Sequence, residues 1–164
     1  DKAGLPPYEI SNYAASGQRS RHNLAYWRYS SYLGVGPGAH GRVVRAGERH
    51  ASATLRSPKR WLAQVRTLGH GLESLDKLTK AEQADEMLLM GMRLVEGIDL
   101  VRMREMTGYG IRGEEMTELV TDGLCECSQD GRFIRASDRG FGVLNQIVER
   151  LSLALELSLA PEKN

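Results

Sequence analysis

Residues 79–97 read TKAEQADEMLLMGMRLVEG, and this segment organises the second half of the chain. Thr79 followed three positions later by Glu82 matches a capping box, in which the two side chains satisfy backbone N–H groups at a helix start. Apolar residues then recur at helical spacing from Ala84 to Leu94. The pattern predicts an amphipathic helix that ends at Gly97, because glycine is the usual residue just past a helix end.

Downstream of this helix the predicted order is helix, helix, hairpin, which is the order of a winged helix. The segments are a helix over 100–106 closed by Gly108, a helix over 116–124, and a hairpin of 125–128 and 132–136 around Gln129-Asp130-Gly131. A last helix is predicted over 138–159. Leucines at 151, 153, 155, 157 and 159 also alternate at period two, which is typical of a strand.

Upstream, glycine and aromatic residues crowd the chain as far as about His50, where we place a domain boundary. The predicted elements are strands at 8–11 and 32–36, a short aromatic helix over 23–29, a hairpin of 42–45 and 49–53 around Ala46-Gly47-Glu48, and a helix opened by Ser57-Pro58 that stops at Gly69 and Gly71. The fold class is therefore α+β, mainly α, with one domain over residues 1–50 and another over 51–164.

Composition excludes several classes of function. Lys and Arg total 22 against 21 Asp and Glu, so a net charge of +1 provides no long-range field for nucleic acid or an anionic membrane. No apolar run approaches a membrane span, and residues 1–7 do not resemble a secretion signal. The only cysteines, Cys125 and Cys127, are too close in sequence for an ordinary disulfide and too few for a closed structural zinc site. We therefore expect a reducing, cytoplasmic location. The chain has no initiator Met, which suggests a portion of a longer protein.

The winged-helix order raises the possibility of DNA binding, but the charges oppose it. The helix that would enter the major groove carries Glu114, Glu115, Glu118 and Asp122, with Arg112 at its start. These carboxylates would repel phosphate, so a structural or protein-interaction role is the better expectation.

Two other motifs are better explained by structure than by chemistry. Gly36-Pro37-Gly38-Ala39-His40-Gly41 satisfies a literal GxGxxG, but Pro37 interrupts the loop and a hairpin rather than a helix is predicted next. We expect these glycines to allow a sharp turn or a close backbone approach. Cys125 and Cys127 would share one face of a strand, where packing is the simplest role.

The most informative segment is residues 19–28, RSRHNLAYWR. In a helix His22 and Tyr26 lie one turn apart on one face, with Asn23 and Trp27 on the next. A neutral imidazole can ligate heme iron, aromatic rings can stack on a macrocycle, and arginines pair with propionate carboxylates. A histidine beside aromatic residues can equally be a hydrogen-bonded structural residue.

Three blocks together resemble a known family. They are Tyr8-Glu9-Ile10-Ser11-Asn12-Tyr13-Ala14, then His22-Asn23-x-x-Tyr26-Trp27, then residues 32–41, YLGVGPGAHG. In this order and spacing the series resembles the HemW heme chaperones, relatives of oxygen-independent coproporphyrinogen III oxidase. Later matches at 94–98, 122–124 and 139–140 extend the resemblance over nearly the whole chain.

The resemblance implies the C-terminal portion of a radical-SAM protein. Residues 1–50 would complete a partial (β/α) barrel, and the rest would form a helical domain with a winged-helix-like end. A four-iron cluster and S-adenosylmethionine would be held by an N-terminal barrel that this chain lacks, so the chain itself would have no catalytic residues.

The resemblance also assigns heme binding to His22, Asn23, Tyr26 and Trp27, with His22 as the iron ligand or near it. Arg19, Arg21 and Arg28 are candidates for the heme propionates on chemical grounds. The expected partners are heme or a porphyrin, an acceptor hemoprotein and the N-terminal barrel. A dimer through the leucine-rich tail is an open alternative to its burial, and coproporphyrinogen III oxidase activity is the alternative function.

Overall fold

The computed structural model describes residues 4–158, which divide into two compact units. The smaller unit spans Ser30–Thr79, and the larger unit combines the residues before and after it. Position 50, where we placed the domain boundary, lies inside a strand of the smaller unit. Compactness within this chain does not test how domains are divided in a longer protein, so the division into residues 1–50 and 51–164 stays a prediction.

The smaller unit is a three-stranded antiparallel sheet with one helix. Its elements are β1 (His40–Arg45), β2 (Glu48–Thr54), α2 (Pro58–Leu68) and β3 (Leu72–Lys77), and the strand order is β1-β2-β3. The predicted hairpin is confirmed, since Ala46 and Gly47 both have positive φ, as the tightest two-residue turns require. The predicted α2 is also confirmed, with the Ser57 hydroxyl accepting from the Arg60 N–H and Gly69 ending the helix at φ 77°.

The glycine-rich loop of the smaller unit has the structural role that we expected from the sequence. Gly36 and Gly38 have positive φ, and a Cβ on Gly41 would overlap the Ser52 hydroxyl. The segment predicted as a strand at 32–36 contributes only a single bridge, Tyr32 to Arg42. These glycines therefore serve a tight turn and a close approach beside β1.

The larger unit holds the remaining helices and strands. They are α1 (Arg21–Trp27), α3 (Lys80–Gly91), β4 (Ile98–Asp99), α4 (Leu100–Thr107), β5 (Tyr109–Ile111), α5 (Gly113–Thr121), β6 (Cys125–Cys127), β7 (Phe133–Ala136), α6 (Asp138–Phe141), α7 (Leu144–Leu153) and β8 (Leu155–Leu157). The strands form two small antiparallel sheets, ordered β4-β7-β6 and β5-β8.

One apolar core joins the helices of this unit. The core contains side chains from α3, α4, α5 and α7 together with residues of the β4-β7-β6 sheet. Seven of its residues are almost fully buried: Leu88, Met92, Met103, Leu119, Ile134, Ile147 and Leu151. Burying a side chain of this size contributes about 1.5–3 kcal/mol, so these residues stabilise the packing of the helices on the sheet.

Two predicted elements have different bounds in the structure. The helix expected to reach Gly97 ends at Gly91, because residues 92–97 turn back and bond to the segment near Tyr8. The strand expected at 8–11 is reduced to isolated bridges, one of which joins Glu9 to Leu94. Long-range hydrogen bonds have overridden local propensity in both places.

The last predicted helix was wrong as a single element. It is broken into α6 and α7, and the chain then enters β8, which pairs with β5. The alternating leucines were therefore the better guide at Leu155 and Leu157, while Leu159 lies outside the described residues.

The predicted fold class is supported at its coarser level. The described residues form a mixed α and β structure with seven helices and small sheets. The order α4, α5, then the β6–β7 hairpin follows the predicted helix, helix, hairpin series. The partial barrel and the winged-helix likeness stay predictions. No helix within residues 4–158 is long and apolar enough to cross a membrane.

Candidate functional site

Helix α1 carries the histidine and aromatic residues singled out in the sequence. It begins at Arg21, two residues earlier than predicted, and the Ser20 hydroxyl caps it by accepting from the Asn23 N–H at 3.3 Å. His22 and Tyr26 are four residues apart and so lie one above the other on one face. This local geometry follows directly from a short helix with an N-cap serine.

A tight turn before α1 forms the opposing wall. Glu9 is only 1% exposed, and its carboxylate accepts hydrogen bonds from the Ser11 N–H at 3.1 Å and from the Asn12 side-chain amide. The buried hydroxyl of Tyr8 accepts from Nδ2 of Asn23 at 3.3 Å, which ties the turn to α1. The charge of Glu9 is therefore hydrogen-bonded within its own turn.

Between these walls lies a groove of about 270 Å³. It is lined by Glu9, Ser11, Asn12, His22, Asn23, Tyr26 and Trp27. All four predicted heme-binding residues thus face one space. The volume is slightly below the roughly 300–1,000 Å³ of pockets that enclose a ligand, so this groove suits one edge of a large planar molecule rather than the whole of it.

The chemistry of the groove fits a heme edge. His22 is exposed, and its ring makes no hydrogen bond to any residue in the described part of the chain, so either nitrogen is open to a metal. Tyr26 and Trp27 pack edge to face, with ring centroids 4.9 Å apart at 75°. These rings offer an apolar surface next to the imidazole.

The C-terminal end of α1 is held by charged side chains from later in the chain. Arg28 makes a two-pronged ion pair with Glu96, with Nε to Oε1 at 2.6 Å and Nη2 to Oε2 at 2.8 Å. The hydrogen bond to Glu96 raises the pKa of Arg28, against a smaller opposing effect of burial. Arg102 donates to the carbonyl oxygens of Arg28 and Tyr29 at 2.6 and 3.3 Å.

Tyr29 completes this attachment. Tyr29 is 2% exposed and has a φ of 54°, and its hydroxyl donates to Oε2 of Glu86 at 2.6 Å. A non-glycine residue in the left-handed region costs of order 1 kcal/mol or more, and here the buried ring and its hydrogen bond hold it. The strain marks the point where the chain leaves α1.

The three predicted propionate contacts do not line the groove. Arg19 and Arg21 are exposed and form no ion pair among the residues the structure covers, whereas Arg28 is engaged with Glu96. A role for Arg28 would require it to leave that partner. Arg19 and Arg21 keep their predicted role as proposals.

Sequence reasoning missed the residues that reach the site from elsewhere. Glu9 and Asn12 come from the preceding turn, and Glu96 comes from the turn after α3. Arg93, from the same turn, places its guanidinium carbon 5.7 Å from the centroid of the Trp27 ring. No spacing rule links positions 9, 27 and 93, so nothing local could have signalled them.

The two cysteines are free thiols in different environments, Cys125 buried and Cys127 exposed. Cys125 is 2% exposed and packs in the core, where burial raises its pKa to about 11. Burial also raises the pKa of Cys127. No group of three or more His, Cys, Asp or Glu side chains within residues 4–158 is arranged to hold a metal ion.

The chain matches one protein-domain family and is similar in sequence to several known proteins. Residues 78–143 match the HemN C-terminal domain family. The chain is 36% identical to mouse radical S-adenosyl methionine domain-containing protein 1, mitochondrial, over 156 residues, covering 89% of this chain and 35% of that protein. It is 31% identical to the heme chaperone HemW of Escherichia coli strain K12, covering 90% of this chain and 38% of that protein.

A solved structure agrees at the level of fold. Coproporphyrinogen III oxidase (HemN) from Escherichia coli, described as a radical SAM enzyme, matches with a TM-score of 0.54 and 14% identity. The match covers 92% of this chain and 32% of that one. This chain spans little more than a third of the length of the curated relatives cited above.

The resemblance expected from the sequence is confirmed by these matches, and the HemN domain match fits a C-terminal portion. The chain is a relative of the HemW heme chaperones and the radical S-adenosyl methionine domain-containing proteins, with a HemN C-terminal domain over residues 78–143.

Proposed function

We propose that this chain supplies part of the heme-binding surface of a heme chaperone that delivers heme to hemoproteins. The observation that carries the proposal is the groove, in which His22, Asn23, Tyr26 and Trp27 face one space. Relatives named as heme chaperones, at 30–31% identity, support the same class of ligand.

The four residues of helix α1 that line the groove each have a part in this proposal. The imidazole of His22 coordinates the iron of the heme cargo, and the rings of Tyr26 and Trp27 cover an edge of the macrocycle. Asn23 fixes the distance between α1 and the opposing turn through its bond to Tyr8. The groove encloses only part of a porphyrin, which suits a protein that must also release its cargo.

The remaining parts of the proposal concern the parent protein. A four-iron cluster and S-adenosylmethionine belong to an N-terminal barrel outside this chain, and residues 1–50 complete that barrel. The residues after them form a helical domain, with α4 to β7 as its winged-helix-like end. We place the parent in the cytoplasm, although the vertebrate relatives are named as mitochondrial. A dimer through the leucine-rich tail remains an alternative.

A heme titration followed by Soret absorbance tests the site. We expect saturable binding by the full 164-residue chain and affinity at least about tenfold weaker in His22→Ala, because an iron ligand is lost. His70→Ala is the matched control, since His70 is exposed and does not line the groove. Equal affinities of His22→Ala and the unmodified chain would remove the ligand assignment, and an absence of binding would remove the site.

A coproporphyrinogen III oxidase is the second candidate function, favoured by the likeness to that enzyme's structure. At 14% identity the likeness shows the fold alone. Turnover of coproporphyrinogen by the parent protein would favour the oxidase, and heme transfer without turnover would favour the chaperone.

DNA binding has less support. Arg150 is neutralised by Glu115 at 2.6 Å and Glu118 at 3.1 Å, with Asp122 at 3.8 Å, so the acidic face of α5 keeps an excess of negative charge. Salt-sensitive affinity for duplex DNA would overturn this reasoning.

A further inference from the structure

Arg93 lies where the turn after α3 meets the wall of the groove. Its carbonyl oxygen accepts from the Ile10 N–H at 3.0 Å, and the next residue, Leu94, is bridged to Glu9. The backbone of Arg93 is therefore attached to the same turn that supplies Glu9 to the groove. Its position relative to the groove is set by backbone hydrogen bonds rather than by a flexible loop.

The side chain of Arg93 lies over Trp27, one of the groove residues. The guanidinium carbon is 5.7 Å from the ring centroid, within the range of a cation–π contact. A cation–π contact of this kind leaves the guanidinium N–H groups available to donate hydrogen bonds. The tryptophan thus presents the arginine beside the groove.

No carboxylate in the described part of the chain compensates the charge of Arg93. Glu96, three residues later, is taken by Arg28, and the Glu9 carboxylate is bonded by Ser11 and Asn12. The Arg93 guanidinium makes neither an ion pair nor a hydrogen bond with residues 4–158. A half-buried guanidinium with open donors, next to a groove, is suited to a carboxylate ligand.

We infer that Arg93 binds a carboxylate of the ligand in this groove and makes the site specific for porphyrins with free propionates. The inference rests on the proposed function and adds a residue that the sequence did not indicate. In the inferred complex the iron faces His22, the macrocycle edge lies against Trp27, and a propionate bonds to Arg93. Arg93 replaces Arg28, which is held by Glu96, as the propionate contact.

The test compares three ligands that differ in one feature each. Heme has iron and two carboxylates, heme dimethyl ester has iron without free carboxylates, and protoporphyrin IX has carboxylates without iron. Each is titrated into the full chain and into Arg93→Gln, Arg93→Lys and His22→Ala, with thermal melts by circular dichroism to confirm folding. Arg104→Gln is the matched control, because Arg104 is an exposed arginine outside the groove.

We expect Arg93→Gln to weaken heme and protoporphyrin IX by about tenfold, the effect of losing a charge-assisted hydrogen bond, and to leave the ester within about twofold. Arg93→Lys keeps the positive charge but not the planar, two-pronged guanidinium. Its affinity for heme and protoporphyrin IX should therefore lie between those of the unmodified chain and Arg93→Gln. His22→Ala should weaken the two iron ligands and spare protoporphyrin IX.

Other outcomes separate the two ideas. If Arg93→Gln lost affinity equally for all three ligands, or for none, the role of Arg93 would be overturned. The proposed function would still stand if His22→Ala weakened the binding of the two iron-containing ligands. Failure of the unmodified chain to bind any of the three would overturn the proposed function and the role of Arg93 with it.

Discussion

Asp99 both caps helix α4 and forms an ion pair with Arg132, and two different substitutions at this position separate the two contributions. One carboxylate oxygen accepts from the Arg102 N–H at 3.0 Å and so caps α4, while the other accepts from Nε and Nη2 of Arg132 at 3.0 and 2.7 Å. The Asp99 side chain is 16% exposed, whereas that of Arg132 is 51% exposed. The ion pair is therefore partly screened by water.

The structure sets the size of each effect. Loss of an N-cap acceptor costs about 1 kcal/mol, and a half-exposed ion pair contributes about 0.5–1 kcal/mol. Asp99→Ala removes both and should lower the free energy of unfolding by about 1.5–2 kcal/mol. Asp99→Asn keeps a good capping oxygen and should lose only the ion pair, about 0.5–1 kcal/mol.

The pH dependence has a definite sign. Burial alone would raise the pKa of Asp99, but its hydrogen bonds from Arg132 and from the Arg102 backbone together outweigh burial and lower it. The folded chain thus binds this proton less tightly than the unfolded chain does. The unmodified chain should therefore be more stable than Asp99→Asn, by the full amount at any pH above the ordinary aspartate pKa of about 3.9. This difference is lost as the pH falls through the lower pKa that Asp99 has in the folded chain.

Urea unfolding at pH 6 and pH 3 measures these differences. Arg132→Gln is the matched control, because it should reproduce Asp99→Asn while the cap stays. Equal destabilisation by Asp99→Ala and Asp99→Asn at pH 6 would refute the division between cap and ion pair. A gap between the unmodified chain and Asp99→Asn that stayed constant down to pH 3 would refute the electrostatic part.

Two further predictions concern backbone space and thiol reactivity. Gly97→Ala should lower the free energy of unfolding by about 3 kcal/mol or more, because φ at Gly97 is 77° and a Cβ there would overlap the carbonyl of Ile134. Gly131→Ala is the control, since Gly131 also has positive φ but open space around it, and it should cost about 1 kcal/mol. Similar losses for the two variants in urea unfolding would contradict this. Iodoacetamide at pH 8 should modify exposed Cys127 and spare Cys125, whose burial raises its pKa to about 11. Mass spectrometry before and after denaturation would detect the adducts, and early modification of Cys125 would contradict its burial.

Elements defined by adjacent residues could be predicted from the sequence. Ser57 and Pro58 mark the start of α2, Gly69 marks its end, and Ala46-Gly47 marks the hairpin turn. In each case the residues that determine the conformation are neighbours in the chain, so their propensities report directly on the structure.

Elements that depend on distant partners could not be predicted in the same way. β3 was missed because LESLDK is rich in charge and forms a strand only beside β2. The end of α3 at Gly91 was missed because the turn that follows is held by bonds to Tyr8 and Ile10. β8 was ambiguous because its leucines continue a helical face, and its pairing with β5 decides between the two conformations.

The candidate site combines both kinds of information. His22 and Tyr26 converge because a helix brings together residues four apart, which the sequence showed. Glu9 lines the same groove and Arg93 lies over Trp27, and the bridge from Glu9 to Leu94 connects the early turn to the residues after α3. The motif therefore identifies one wall of the groove, and tertiary structure supplies the rest.

Helix α1, which carries the His22 to Trp27 motif, is held by side chains that come later in the chain. Helix α1 has seven residues, far below the length at which an isolated helix is stable in water. Glu86, Glu96 and Arg102, all within the HemN C-terminal domain, hold the end of α1 through Tyr29 and Arg28. A peptide carrying the motif alone should therefore lack the ordered groove, because the domain that follows the motif in sequence is the structure that orders it.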